Sequence, residues 1–171
     1  MAELGRPAPA EAADLPRIPL CLVLDDIRSA NNVGSLFRTA DGLGLAHVYC
    51  CGITATPPHR DILKTALGAT ETVPWSYRED ASTLVAELTA AGTEVYALEQ
   101  AHGSVRLSEF RLPRPRPLAL VVGNEVNGVG QAVIDHCAGC LEIAQFGVKH
   151  SLNVAVAAGI ATWALSGQLR P

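Results

Sequence analysis

The sequence predicts an α/β domain, with an open, mostly parallel sheet and helices on both faces. Short apolar runs alternate along the chain with stretches in which apolar residues recur at helical spacing. Two runs, 20–24 and 118–122, are apolar throughout, as expected for strands of a parallel sheet that is covered on both faces. The chain has 171 residues, enough for one domain with a hydrophobic core. Alternating strands and helices favour the α/β class over segregated architectures.

The first half of the chain is expected to begin with the strand at 20–24. A turn-and-cap cluster at 29–35 then leads into a helix that ends at Gly42 or Gly44. Its apolar residues recur at helical spacing, at Leu36, Phe37, Ala40 and Leu43. The next predicted elements are a strand at 47–53, a short helix at 60–67 and a weaker strand near 72–75.

In the second half, Asp80 is predicted to start an amphipathic helix that Gly92 ends. A strand at 94–98 follows, and residues 99–117 are expected to be a loop that contains a stiff, basic, proline-rich connector. The remaining predicted elements are the apolar strand at 118–122, a short helix at 129–136, a last strand at 141–144 and a last helix at 151–166.

Residues 1–19 are expected to be a flexible tail, and residues 20–171 to form the single domain. The tail contains four prolines, but it lacks the basic and apolar regions of a secretory signal. No apolar run reaches 18 residues, and the longest candidate, 154–165, is too short to cross a membrane. We therefore predict a cytoplasmic protein with no membrane partner.

Composition limits the class of partner. Because 49% of the residues are hydrophobic, most of the chain is not disordered. A net charge of −4 argues against a strongly basic nucleic-acid binder, but it is compatible with a local basic patch or one assembled across a dimer.

The five cysteines are expected to be reduced, because their number is odd and the chain has no secretory signal. His136, Cys137 and Cys140 resemble part of a zinc site. The sequence offers no second Cys or His pair to complete it. We expect buried apolar thiols and no metal.

Three polar clusters follow predicted strands, at the sheet edge where open α/β sheets bind ligands. In the first, Asn32 lies at a helix entrance and Arg38 follows six residues later, nearly two turns on. The guanidinium of Arg38 is suited to binding phosphate. The alternative is that Asn32 is an ordinary N-cap and Arg38 a solvated helix residue.

The second cluster is the loop 123–128, which begins and ends with glycine. Glu125 in this loop can accept hydrogen bonds from a ligand or hold Arg38. The loop lacks the Lys-Ser/Thr of a Walker A loop and the glycine spacing of dinucleotide-binding folds. The alternative is an ordinary strand-to-helix turn.

The third cluster, Ser151 to Asn153, opens the last helix. Ser151 is expected to cap this helix and to leave N–H groups that can bind a carboxylate or phosphate. Small residues at 155–161 permit close packing, either in the core or against a second subunit. The alternative is a simple cap followed by a core helix.

Taken together, the clusters resemble the SpoU-type branch of the SPOUT RNA methyltransferases, specifically the 2′-O-ribose methyltransferases. The resemblance covers about Leu20 to Leu165 and rests on three motifs. The matching residues are Asn32 and Arg38, then Gly123, Glu125 and Gly128, then Ser151, Leu152, Asn153 and Val154. Two departures affect the cofactor side: Ile143-Ala-Gln-Phe146 replaces the usual Ile-Pro-Met, and Ala155 replaces a common Ser.

The resemblance implies a C-terminal deep trefoil knot (the SPOUT fold), a homodimer whose site is completed at the interface, and S-adenosylmethionine as cofactor. The activity that it implies is methyl transfer to a ribose 2′-hydroxyl of tRNA or rRNA. The implied cofactor-binding residues are Leu98, Gly123, Asn124, Gly128, Ile143, Gln145 and Leu152. The implied catalytic residues are Arg38, Asn32, Glu125, Ser151 and Asn153.

In the family, Arg38 would activate the ribose hydroxyl, either as a general base or through its charge. Arginine stays protonated at neutral pH, so we favour the cation that stabilises the alkoxide while an RNA phosphate takes the proton. Asn32 and Glu125 would position Arg38 or the ribose, and Ser151 and Asn153 would fix the loop and the target nucleotide. Candidate phosphate contacts are Arg28, Arg60, Lys64, Arg111, Arg114, Arg116 and Lys149, each of which could instead be merely solvated.

Three other functions compete with this interpretation. The first is a non-catalytic RNA-binding or assembly protein that retains the fold, which the presence of both Asn32 and Arg38 disfavours. The second is a nucleotide-binding domain of another enzyme class, which the missing phosphate-loop lysine disfavours. A zinc-dependent RNA enzyme is the third.

Overall fold

The computed structural model describes residues 16–112, 116–148 and 151–170. Seven parallel strands form one sheet in the order β3-β2-β1-β6-β4-β7-β5. The strands are β1 (Ile18–Asp25), β2 (Leu45–Cys51), β3 (Trp75–Arg78), β4 (Glu94–Leu98), β5 (Val105–Arg106), β6 (Leu118–Val122) and β7 (Gly139–Glu142). The helices are α1 (Ala30–Leu43), α2 (Arg60–Ala66), α3 (Ala69–Thr72), α4 (Ala81–Ala90), α5 (Gln131–Ile134) and α6 (Val154–Leu169).

The predicted α/β class and parallel sheet are confirmed. The apolar strands predicted at 94–98 and 118–122 coincide with β4 and β6. Three predictions need correction: β3 begins at Trp75, β7 ends at Glu142, and the predicted loop at 99–117 contains the short strand β5. Residues 1–15 of the predicted tail lie outside the described residues, and Ile18 already belongs to β1.

The core lies on both faces of the central strands. Leu22 and Leu120 face one layer, which α1 and α6 cover, whereas Val23 and Val121 face the layer under α4 and α5. All five residues of β6 are buried, which explains why its sequence shows no polar alternation. Burying each such aliphatic side chain contributes about 1.5–3 kcal/mol. No helix within the described ranges is both long and apolar enough to span a bilayer.

The cap of α1 rules out the alternative interpretation in which Asn32 is an ordinary N-cap. Ser29 is the N-cap, and its Oγ accepts a hydrogen bond from the backbone N–H of Asn32 at 3.3 Å. Gly44 ends the helix with φ 65°, in the left-handed region that glycine adopts readily. Asn32 therefore lies in the first turn, and its side chain is free for contacts outside the helix.

The cap of α6 differs from the prediction, which assigned it to Ser151. The Oδ1 atom of Asn153 accepts from the N–H groups of Ala155 at 2.9 Å and Val156 at 3.3 Å, so Asn153 is the N-cap. Asparagine is among the strongest N-cap residues, and its position one residue before the helix allows these bonds. Ser151 lies two residues outside that cap.

Helices α1 and α2 pack unusually closely at Gly34. A Cβ placed on Gly34 would overlap the Oγ1 of Thr65 and the carbonyl oxygen of Ile62. The same Thr65 hydroxyl donates to the carbonyl of Asn31 at 3.0 Å. This contact fixes the start of α1, which carries Asn32, against the neighbouring helix.

Candidate functional site

A cavity of about 510 Å³ lies at the carboxyl ends of β4, β6 and β7. Its wall combines those strand ends with the loop 123–128 and the segment that leads into α6. All seven predicted cofactor-binding residues line it, namely Leu98, Gly123, Asn124, Gly128, Ile143, Gln145 and Leu152. Three of the predicted catalytic residues, Glu125, Ser151 and Asn153, line it as well. We call it the main cavity.

Hydrogen bonds to Asn124 hold the two ends of the loop 123–128 together. The Oδ1 atom of Asn124 accepts from the N–H groups of Val126 and Asn127, and its carbonyl accepts from the N–H of Gly128 at 2.8 Å. Its Nδ2 donates to the carbonyl of Asp26 at the end of β1, also at 2.8 Å. One asparagine thus shapes the loop and ties it to the next strand of the sheet.

The glycines that flank this loop are required by space as well as by conformation. A Cβ on Gly123 would overlap the backbone of Gly128 and Val129. Gly128 has φ 69°, and a Cβ there would overlap the carboxylate of Glu99. The two ends of the loop can approach this closely only because both residues lack side chains.

Glu125 holds the start of α1. Its carboxylate accepts from the backbone N–H groups of Arg28 at 2.9 Å and Ser29 at 3.0 Å, and from the Nδ2 of Asn32 at 2.9 Å. Partial burial alone would raise the pKa of Glu125, but these donors favour the charged form and hold its pKa below the usual 4.5. Glu125 is therefore an ionised acceptor at neutral pH.

Asn32 joins the three clusters into one network. Its Nδ2 donates to Glu125, and its Oδ1 accepts from the Nδ2 of Asn153 at 3.1 Å. Residues from the first, second and third motifs are therefore connected by direct side-chain hydrogen bonds at the edge of the main cavity. We call Asn32, Glu125 and Asn153 the amide–carboxylate network.

Arg38 does not line the main cavity. Its exposed side chain borders a second cavity on the surface of α1 and α2. This cavity is lined by Ser35, Arg38, Thr39, Lys64, Thr65 and Leu67. The prediction that Glu125 could hold Arg38 is wrong for the single chain, because Glu125 binds the backbone at residues 28 and 29 and the amide of Asn32 instead. Within the described residues, Arg38 forms neither an ion pair nor a hydrogen bond.

The predicted phosphate contacts fall into three groups. Arg28, Arg60 and Lys64 are exposed. Arg116 instead pairs with Glu94 at 3.3 Å, and Arg111 donates to the carbonyl of Phe110 at 2.7 Å. Arg114 and Lys149 lie outside the described residues. The first group is therefore the best placed for an extended polyanion.

The thiols are largely shielded. Cys50 and Cys51 are buried, and desolvation raises the pKa of each to about 12. The thiol of Cys137 donates to the carbonyl of Val133 at 3.3 Å. Across the ranges that the structure describes, no three His, Cys, Asp or Glu side chains are grouped so that they could hold a metal ion.

Several wall residues were missed by the sequence reasoning, and Glu99 is the most informative of them. Glu99, directly after β4, lines the main cavity, lies against Gly128 and accepts a hydrogen bond from the N–H of Val129. Its position at the carboxyl end of a central strand was the available signal, since such positions meet ligands in open α/β sheets.

Comparison of the chain with known proteins identifies a family. The model of the SpoU rRNA Methylase family matches residues 19–163. The chain is 34% identical over 146 residues to the 23S rRNA (guanosine(2553)-2′-O)-methyltransferase RlmP of Bacillus subtilis, a match that covers 85% of this chain and 57% of that protein. It thus spans little more than half the length of the curated relatives it matches.

Two solved structures share the fold. One is an AdoMet-bound rRNA methyltransferase from Sinorhizobium meliloti, with 26% identity, a TM-score of 0.83 and coverage of 94% of this chain and 61% of that one. The other comes from work on the 2-OH methylation of C/U34 on tRNA, with 27% identity, a TM-score of 0.74 and coverage of 88% of this chain and 95% of that one.

Proposed function

Because this chain belongs to the SpoU rRNA Methylase family, we propose that it transfers a methyl group from S-adenosylmethionine to a ribose 2′-hydroxyl of rRNA or tRNA. The catalytic unit is residues 20–171. The observation that carries the proposal is the amide–carboxylate network, which joins all three motifs beside the main cavity. The relatives named above act on rRNA or tRNA, which supports an RNA substrate.

The main cavity suits the cofactor in size and in chemistry. Its volume of about 510 Å³ lies within the usual range of roughly 300–1,000 Å³ for small-molecule sites. Its wall offers backbone groups at Gly123 and Gly128 and carboxylates at Glu99 and Glu142. Carboxylates favour a ligand that carries a sulfonium and an ammonium group. When bound, S-adenosylmethionine supplies the electrophilic methyl group; the chain must orient it and exclude water.

We assign the activation of the ribose hydroxyl to Arg38. A fixed cation beside the hydroxyl favours loss of its proton and stabilises the resulting alkoxide. The amide–carboxylate network positions α1 relative to the cavity. The target nucleotide is contacted by Ser151 and Asn153. Arg28, Arg60 and Lys64 are proposed to bind backbone phosphates, which makes RNA binding sensitive to salt.

A homodimer is the second part of the proposal. Val156, Ile160 and Trp163 lie on one face of α6, and all three are exposed, Trp163 by 71%. Contiguous exposed apolar residues mark interaction surfaces. A second copy of the chain is the proposed occupant, since Arg38 lies away from the main cavity of its own chain and an interface can complete the site.

We also propose the deep trefoil knot of the SPOUT fold. In the sheet, β6 lies between β1 and β4, whereas β7 lies beyond β4. Helix α6 then returns to pack on α1, β1 and β6, so the chain crosses from one side of β4 to the other between the end of β7 and the start of α6. Near its far end, Gln168 bonds the connector at Phe110 and Leu112. These crossings support a knot, and an experimental chain trace would test it.

The activity is tested by methyl incorporation from labelled S-adenosylmethionine into unmodified total RNA, read by nucleoside mass spectrometry. We expect a 2′-O-methyl nucleoside from the wild type and far less of it from Arg38→Ala. A folded protein that binds the cofactor but gives no product would favour the non-catalytic RNA-binding role. Failure to bind S-adenosylmethionine would contradict the proposed function.

A further inference from the structure

The side chain of Glu99 connects the end of β4 to Val129, the residue that follows the loop 123–128. Its backbone N–H donates to the carbonyl of Leu141 in β7 at 3.0 Å, which fixes the residue between two strands. Its Oε2 accepts from the backbone N–H of Val129 at 3.0 Å, and its Oε1 accepts from the N–H of Gln100 at 2.9 Å. One carboxylate thus satisfies two backbone donors, one in its own segment after β4 and one at the end of the loop 123–128.

The Val129 N–H depends on this carboxylate. Val129 is buried, with 6% of its surface exposed, so water cannot easily replace a lost acceptor. Gly128 lies against the same carboxylate so closely that a Cβ would overlap it. Because Gly128 has no side chain, the backbone of the loop can pack directly against the carboxylate of Glu99.

We propose that Glu99 is a positioning residue for the cofactor site. Its carboxylate holds Val129 and the loop 123–128 in the shape that binds S-adenosylmethionine. This inference rests on the proposed function, because it takes the main cavity as the cofactor site. Without the carboxylate, Val129 loses its acceptor and the loop can open. Cofactor affinity then falls, because part of the binding free energy is spent on ordering the loop again.

A different effect could also weaken binding, and it must be separated from this one. Any carboxylate in the wall attracts a cationic cofactor, and Glu99 is such a carboxylate. Glu142 also lines the main cavity, but its Oε2 accepts from the hydroxyl of Ser104 at 2.8 Å and not from the loop. Glu142→Gln therefore removes the same charge from the wall and leaves the loop contacts intact.

The test measures the Kd of S-adenosylmethionine by calorimetry for the full chain and for Glu99→Ala, Glu99→Gln and Glu142→Gln. A buried donor deprived of a charged acceptor corresponds to a loss of about tenfold or more in Kd, which we expect for Glu99→Ala. Glu99→Gln keeps one acceptor oxygen, so we expect an intermediate Kd. Because Glu142→Gln removes only the wall charge, we expect it to lose less affinity than Glu99→Gln.

A second readout needs no ligand. In the wild type, the amide proton of Val129 should resonate downfield, as amides bonded to carboxylates do, and it should move upfield in Glu99→Gln while resonances of the distant strand β2 stay in place. A purely structural role would instead lower Tm and shift resonances throughout the sheet. Because Glu99→Gln is nearly isosteric, it decides the matter if Glu99→Ala does not fold.

Two results would overturn the inference. One is an equal loss of affinity in Glu99→Gln and Glu142→Gln, which would assign the effect to wall charge. The other is a Val129 amide resonance that does not move in Glu99→Gln. If the wild type itself fails to bind S-adenosylmethionine, the proposed function fails and the cofactor role of Glu99 fails with it. The amide measurement then reports separately on whether the contact exists.

Discussion

The side-chain amide of Asn153 donates a hydrogen bond to the Oδ1 of Asn32 at 3.1 Å, although 121 residues separate them in the chain. On its other side, Asn32 donates to Glu125 at 2.9 Å. An amide offers both an acceptor and donors, so Asn32 can face an amide and a carboxylate at the same time. No acid of the same shape can do both while it is ionised.

Asn32→Asp should therefore disrupt the network more than its small change in volume suggests. The new carboxylate would lose the donor to Glu125 and face it as a like charge. We expect methyl transfer to fall at least about tenfold, equivalent to about 1.4 kcal/mol in the barrier. The matched control is Asn31→Asp, the same change one residue earlier on an exposed side chain. Similar losses in both variants, measured by the rate of methyl incorporation, would contradict the role of the network.

Substitution of Arg38 should lower the rate of methyl transfer and leave cofactor binding nearly unchanged. Because its side chain borders the second cavity rather than the main one, we expect Arg38→Ala to leave the Kd of S-adenosylmethionine within about threefold. Methyl transfer should fall by about 10²–10³, as when one electrostatic contact to a developing charge is removed. Arg38→Lys keeps the charge, so activity well above that of the alanine variant is expected. A lysine variant as inactive as alanine would indicate that the guanidinium geometry is essential.

The apolar face of α6 should control the oligomeric state. We expect Ile160→Glu to convert a dimer to monomers, because a buried unpaired carboxylate in an interface is strongly unfavourable. Val105→Glu is the control, since Val105 on β5 has the same 43% exposure as Ile160. Light scattering coupled to size-exclusion chromatography measures both masses. A monomeric wild type, or a dimeric Ile160→Glu variant, would refute this interface.

Gly34→Ala should lower stability through a clash rather than through helix propensity. The added methyl group meets the Ile62 carbonyl and the Thr65 hydroxyl, and such overpacking costs about 1–3 kcal/mol. Gly42→Ala, in the same helix and with open space around it, should instead gain up to about 1 kcal/mol. Chemical denaturation gives both values. Two stabilised variants would mean that α1 and α2 are less closely packed than described.

The buried thiols should make the protein resistant to thiol reagents and sensitive to alkali. With pKa values of about 12, Cys50 and Cys51 are about 1 part in 10⁴ thiolate at pH 8, so a disulfide reagent should modify them only after unfolding. Because folding raises these pKa values from 9.0, their contribution to stability is complete below pH 9 and is lost as pH rises toward 12. Tm should accordingly fall between pH 9 and pH 11. Rapid native-state labelling of Cys50 or Cys51 at pH 8 would contradict this burial.

Local patterns predicted most of the sheet, and the family resemblance predicted part of the wall of the main cavity. Uninterrupted apolar runs identified β1 and β6, because strands buried on both faces leave no polar alternation. The resemblance to SpoU-type enzymes, which the family match confirms, identified the cavity wall from Leu98 to Leu152. Residues at the ends of several strands meet only through the parallel topology, so their proximity followed once the class was known.

Other features depend on three-dimensional contacts that no local pattern reveals. Serine and asparagine cap helices about equally well, so sequence alone could not choose Asn153 over Ser151. Strand β5 is two residues long and forms only because it pairs with β7. The position of Arg38 depends on how α1 is rotated against α2, which the close contact at Gly34 sets.

The main cavity has a consequence for biosynthesis. All seven strands precede residue 143, whereas part of the wall and one member of the amide–carboxylate network come after residue 150. During translation all the strands therefore leave the ribosome before the wall of the main cavity is complete. The amide–carboxylate network is complete only when Asn153 has left the ribosome and reached Asn32. A nascent chain that has emerged only as far as Glu142 would lack both the last helix and Asn153, so the order of synthesis makes the proposed site the last part of the fold to be completed.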